Sequence, residues 1–153
     1  MDMERDVEDL LKKLELENGA PVRWRTYAFY QVSGKGQKGT IGGLLYIAGN
    51  SLIFEDFEPE KSMYSLFSPR KQQYTKFKIE ADLDSIQTIR ATTPSVALQV
   101  LEGKQSARNL PSLTKLQRIF QRTIYMIHFK DDNVWFCEIF DIAGLKNIIK
   151  EHV

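Results

Sequence analysis

Few residues in this 153-residue chain carry the functional groups of catalysis. There are two histidines and a single cysteine. His128 falls within a strand-like run, and His152 lies near the C-terminal end, where a cation suits a helix terminus. No His, Cys and carboxylate residues stand at metal-ligand spacing. Cys137 alternates with large apolar neighbours and reads as core rather than as a nucleophile. Asp131 and Asp132 are adjacent in a turn, not poised across a cleft. Neither G-x-S-x-G nor H-E-x-x-H occurs. These residues predict no catalytic centre, no metal and no cofactor.

Binding chemistry has more support. Residues 33–39, Ser-Gly-Lys-Gly-Gln-Lys-Gly, read as a flexible loop in which Lys35, Lys38 and backbone N–H groups can form a small anion site. It is not a phosphate-binding P-loop, which needs a Gly-Lys-Ser/Thr ending that opens a helix. Residues 58–73 are too long for a tight turn. They carry Met63, Tyr64, Leu66 and Phe67, then Pro69, Arg70 and Lys71. An apolar tip beside a basic pair can enter an anionic interface, dock a partner, or fold back to plug an end of the sheet. A third candidate is the stripe Val7, Leu10, Leu11 and Leu14, spaced for one face of a helix over residues 3–16 that Asn18-Gly19 stops. It either covers an edge of the domain or docks a partner.

The elements that position these groups are mostly strands. The clearest is Gly42 to Phe57, one hairpin around Gly49-Asn50. That turn places Ile47 opposite Leu52 and Leu45 opposite Phe54 on one face. Leu44, Tyr46, Ile53 and Glu55 take the other. Before it, Val22 to Val32 is a strand with Trp24 and Tyr30 on one face and Arg23, Arg25, Tyr27 and Phe29 on the other. After it come strands at Tyr74–Ile79 and Ile86–Ala91. Residues 92–109 are weakly patterned and predict a mobile excursion with a short strand at Val96–Leu101. Residues 111–122 are ambiguous, with a helix carrying Lys115, Arg118 and Arg122 as one reading. A second hairpin, Thr123–Phe129 and Val134–Phe140, surrounds Lys130–Asn133 and brings His128 near Trp135. Asp141 then caps a terminal helix with the stripe Ile142, Leu145, Ile148 and Ile149.

The length suits one domain with a sizeable core. The net charge of +1, from 21 basic and 20 acidic residues, gives no global field for nucleic acid or anionic membrane. The charged N-terminus carries no secretory apolar core, and no run approaches the roughly 20 apolar residues of a membrane span. One cysteine allows no internal disulfide and fits a reducing, cytoplasmic setting.

This order of elements resembles the pleckstrin-homology-like superfold, and within it a GRAM-type domain. Gly43-Leu44-Leu45-Tyr46-Ile47-Ala48-Gly49-Asn50-Ser51-Leu52-Ile53-Phe54 is similar to the GRAM "G-x-L-Y-hydrophobic-T-x-N-x-L-I-F" run. Phe77-Lys78-Ile79 through Leu83-Asp84-Ser85-Ile86 is similar to its "I-P-L-x-D-I" strand and turn. Ile127 to Phe140 with the following helix is similar to its last hairpin and capping helix. The resemblance implies a mainly β fold: a bent antiparallel seven-stranded barrel or sandwich over residues 20–153, plugged by the C-terminal helix. Residues 1–19 are then an extra N-terminal helix. It also implies a binding or scaffolding module. Phosphoinositide-binding members carry a lysine in the first loop and a basic pair on the second strand. Lys35 and Lys38 match the former, but Thr40-Ile41-Gly42-Gly43 lacks the latter, which argues against tight phosphoinositide recognition.

The expected function is a non-enzymatic scaffold acting through protein–protein contacts. The alternative is a peripheral membrane module that binds anionic headgroups through Lys35, Lys38, Arg70 and Lys71. Nucleic acid is a weak third, because no basic stripe runs through the aromatics. Homo-oligomerisation stays open.

Overall fold

The computed structural model describes residues 3–34, 37–57, 76–115 and 122–152. The strands are β1 (Val22–Gly34), β2 (Gln37–Ala48), β3 (Ser51–Asp56), β4 (Lys78–Asp82), β5 (Ile86–Thr92), β6 (Ile124–Phe129) and β7 (Val134–Ile139). The helices are α1 (Met3–Asn18), α2 (Pro94–Leu101) and α3 (Ile142–His152). The β2–β3 hairpin has the expected register, with Ile47 opposite Leu52 and Leu45 opposite Phe54. Its two-residue turn is possible because Gly49 takes φ 59°, where a Cβ would be strained.

All pairings are antiparallel, in the order β4-β3-β2-β1-β7-β6-β5. The fold is therefore mainly β, with the expected seven strands, N-terminal helix and C-terminal helix. β4 and β5 are the two edges of this order, yet only the 3₁₀ turn Leu83–Ser85 separates them in the chain. The sheet must bend round until its edges meet at that corner. Leu83 N donates to Asn50 O at 2.9 Å and Lys130 N to Ser85 O at 2.7 Å, which closes the corner. No ladder joins β4 to β5 among the described residues, so the sheet is bent but not a closed barrel.

The concave face holds the main core: Leu45, Ile47, Leu52 and Phe54 from the hairpin, with Ile127, Phe129, Trp135 and Cys137 from β6 and β7. α3 closes it with Leu145, Ile142, Ile148 and Ile149. Asp141 caps that helix as expected, its Oδ1 accepting from Gly144 N at 3.1 Å. On the convex face, α1 lays Leu14 against Leu44, Tyr46, Ala48 and Ile53. The helix runs to Asn18, two residues past the expected 16, and stops as expected at Gly19, which takes φ 66°.

Three expectations need correction. Ser33, Gly34 and Gln37–Gly39 belong to β1 and β2, not to a loop, because the ladder runs on to a Gly34–Gln37 pair. The fourth strand starts at Lys78 and runs to Asp82, later than expected, because it is set by pairing with Ser51–Glu55. Val96–Leu101 is helical: Thr93 accepts from Val96 N at 3.4 Å as N-cap and Pro94 opens the first turn. α2 then packs Ala97 on Ile124, Met126 and Phe136, the outward residues of β6 and β7.

Candidate functional site

Among the described residues, helices cover the convex face at its two sides and leave Tyr27 and Phe29 of β1 exposed between them. α1 covers the β2–β3 side and α2 the β6–β7 side. The strip between consists of the outward residues of β1 and the end of β7. Alternation along β1 sends Trp24, Ala28 and Tyr30 inward and Arg23, Arg25, Tyr27 and Phe29 outward. Phe140 follows β7, its N–H donating to Tyr27 O at 3.3 Å, and so arrives beside that ring. Tyr27 is 61% exposed, Phe140 60%, Phe57 51% and Phe29 38%. Ring centroids lie 5.8 Å apart for Tyr27–Phe57, 6.5 Å for Tyr27–Phe140 and 6.0 Å for Phe29–Phe140. This is one continuous aromatic patch, not scattered exposure. The Phe29 ring lies over Gly42, where a Cβ would stand 3.2 Å from it.

Arg23 and Arg25 are exposed at one end of the strip and make no ion pair among the described residues. At the other end Arg122 meets Glu138 at 3.3 Å. The register pairs Tyr27 with Leu44, the first residue beneath α1. There the strip runs into a cavity of about 160 Å³ lined by Leu10, Leu14, Leu44, Glu55, Phe57 and Lys76.

That cavity has a polar floor. Glu55 is buried, and its Oε1 sits 3.6 Å from Lys76 Nζ and 3.5 Å from Lys78 Nζ, ionic contacts without a hydrogen bond. Lys78 faces Glu55 across the β3–β4 ladder and also reaches Asn18 Oδ1 at 3.3 Å. Asn18 Nδ2 donates to Tyr46 Oη at 3.0 Å, which ties the last turn of α1 to β2. Burial, chiefly, pushes the Tyr46 hydroxyl well above the ordinary tyrosine range, so it remains a neutral phenol.

The expected docking stripe divides. Leu14 is buried, Leu11 half-buried, and Val7 and Leu10 are 42% and 43% exposed, with Leu10 and Leu14 lining this cavity. Lys38 lies in β2 opposite Ser33. Lys35, Met63, Tyr64, Leu66, Phe67, Arg70 and Lys71 lie outside the described residues. The pairing of Tyr27 and Phe29 with Arg23 and Arg25 is visible in the sequence as alternation. That Phe57 and Phe140 join them is not, because both are brought in by pairing with distant strands.

The groups with catalytic potential are engaged elsewhere. His128 is buried, its Nε2 3.3 Å from Asp132 Oδ1. Arg108 Nη2 contacts both Asp132 oxygens at 3.0 Å. Burial pushes the Cys137 thiol up to about 12. Tyr30 beside it is raised to about 12, first by burial and then by Cys137. Among the described residues no three His, Cys, Asp or Glu side chains are grouped to hold a metal. A second cavity of about 390 Å³ lies near the β6–β7 turn, lined by Glu80, Asp82, Ser85, Asp131, Asn133 and Trp135. No described helix is long and apolar enough to cross a membrane.

Fold and surface together define a mainly β domain: a bent seven-stranded antiparallel sheet with a helix against its concave face and two on its convex face. No sequence-family model matches the chain, and no curated protein does. Among solved structures, it is similar to the crystal structure of the C-terminal domain of an unknown protein from Leishmania infantum, with a TM-score of 0.49 and 10% identity over 95% of each chain.

Proposed function

We propose that this chain is a non-enzymatic, cytoplasmic PH-like module of the GRAM type that acts through protein–protein contacts. The observation that carries this reading is the aromatic strip that, among the described residues, is exposed on the convex face between two helices and joins the cavity under Leu10. Tyr, Phe and Arg are the side chains that protein interfaces concentrate. Covering apolar surface returns about 25 cal/mol per Å², and rings already held by their neighbours lose little entropy on binding. Seven antiparallel strands and a C-terminal helix on the concave face are the architecture that the GRAM resemblance implies.

Co-precipitation from native lysate tests it. A partner retained by the wild type should be lost with Tyr27→Ser/Phe140→Ser or with Val7→Asp/Leu10→Asp, while both variants keep the wild-type circular dichroism. Retention that none of these changes alters would overturn the reading. Liposome co-sedimentation covers the lipid alternative through Lys35, Lys38, Arg70 and Lys71: salt-sensitive binding to anionic vesicles without protein capture would replace the present proposal.

A further inference from the structure

We infer that the cavity between α1 and the sheet binds a small neutral molecule, a ring or an apolar body of that size bearing one hydroxyl. Such a site goes beyond the protein-binding reading above and does not depend on it. Four observations carry it.

The cavity holds an acceptor without a donor. Glu55 is 4% exposed, and among the described residues its Oε1 accepts no hydrogen bond. Buried polar atoms are nearly always hydrogen-bonded, and one left unpaired costs free energy. The other carboxylates of the cavity are engaged. Asp56 Oδ1 accepts from Phe77 N at 3.1 Å, and Glu17 meets Lys13 Nζ at 4.0 Å. A carboxylate only accepts, so the partner that Glu55 lacks is a donor.

That acceptor can be reached from the cavity. Lys76 lines the cavity beside Glu55, and its Nζ stands 3.6 Å from Oε1 without a hydrogen bond. Its side chain is 33% exposed. An ammonium held so loosely turns toward solvent at little cost, while Lys78 Nζ at 3.5 Å still balances the carboxylate. A hydroxyl then takes the place nearest Oε1.

The charges cancel. The charged side chains lining the cavity are Lys13, Lys76, Glu17, Glu55 and Asp56, and Lys78 joins them through Glu55. Lys13, Lys76 and Lys78 against Glu17, Glu55 and Asp56 sum to zero. An ion entering this site would give up its hydration and leave one charge uncompensated. A neutral donor does neither.

Volume and apolar lining set the body of the ligand. The cavity measures about 160 Å³, and Leu10, Leu14, Leu44 and Phe57 line its apolar part. An apolar cavity of about 150 Å³ holds one benzene. Phe57 offers a ring that an aromatic ligand can meet edge to face.

The test titrates the full chain with phenol and with toluene, which match in size and differ in the hydroxyl, and follows backbone amide shifts. Phenol should give saturable shifts at residues 10–17, 44 and 55–57. Its Kd should lie about tenfold below that of toluene, the discrimination of one hydrogen bond to a charged group. Benzylammonium and benzoate should each bind more weakly than phenol. N-acetyltyrosinamide, the same phenol on a peptide, should also bind more weakly, because the cavity has room for little beyond the ring. Glu55→Leu should erase the difference between phenol and toluene, and an apolar residue in place of a buried ionic one is compatible with folding. Leu10→Trp should fill the cavity and abolish the saturable phenol shifts with unchanged circular dichroism, which keeps the test decisive if Glu55→Leu fails to fold. No saturable shifts, equal Kd for phenol and toluene, or tighter binding of either ion or of N-acetyltyrosinamide would overturn the inference. So would shifts confined to Tyr27, Phe29 and Phe140, a phenol preference that survives Glu55→Leu, or phenol binding that Leu10→Trp leaves intact.

Discussion

Asp141 performs two tasks with two oxygens. Oδ1 caps α3 through Gly144 N at 3.1 Å, and Oδ2 accepts from Trp24 Nε1 at 2.9 Å, joining the helix to β1. A Cβ on Gly144 would strike the Asp141 carboxylate and crowd the Trp24 indole at 2.6 Å. Loss of a cap and an indole hydrogen bond each costs about 1 kcal/mol. Asp141→Ala and Gly144→Ala should therefore each lower stability by roughly 2 kcal/mol, read as a shifted urea midpoint with an unchanged slope. Asp132 gives a pH-dependent counterpart. The hydrogen bond from Arg108, then that from His128, holds its carboxyl below the usual carboxylate range. A depressed folded pKa means stability present above the unfolded value of about 4 and lost as pH falls through the folded one. Asp132→Asn should melt below the wild type at neutral pH, and the gap should close in acid. A gap that persists in strong acid would remove the charge from the explanation. Cys137 lies fully inside the core with its thiol raised to about 12, so a disulfide-exchange reagent at pH 8 should label it only at the rate of unfolding.

At the scale of elements, α1 shows how burial sorts a helical stripe. The spacing of Val7, Leu10, Leu11 and Leu14 identifies the face, but only Leu14 reaches the sheet fully. Leu14→Ala should cost about 2 kcal/mol and speed hydrogen exchange in residues 3–18 before the sheet. Val7→Asp should leave stability nearly unchanged. The hairpin register was legible because a two-residue turn and period-two patterning impose the same pairing. Val96, Leu98, Val100 and Leu101 are apolar in both periods, so their pattern alone predicts a short strand over Val96–Leu101, within α2. The Thr93-Pro94 pair was the local signal for a helix start, and its hydrogen bond to Val96 N is what the structure adds. Composition alone predicts a loop at residues 33–39, yet Gly34, Lys38 and Gly39 do not oppose a ladder that already runs the length of β1.

Across the whole molecule, the bent sheet explains why both faces of the hairpin are apolar. The concave face meets α3 and β6–β7, and the convex face meets α1. Gly43 leaves no room in that packing: a Cβ would collide with Glu55 O and stand 2.8 Å from the Phe54 ring. Gly43→Ala should thus destabilise more than any convex-strip substitution, by about 2–3 kcal/mol for an overpacked core, which thermal melts of the two variant sets would compare. Alternation, turn chemistry and capping act over a few residues, and they determined the hairpins, the terminal helix, the inward side chains and the outward set Arg23, Arg25, Tyr27 and Phe29. Which outward residues stay exposed depends on where α1 and α2 land, the meeting of Tyr27 with Phe57 depends on β2 lying between β1 and β3, and its meeting with Phe140 depends on β1 pairing with β7 across more than a hundred residues. Those choices belong to the tertiary structure, because they balance the burial of whole faces against one another, and no local pattern carries that sum.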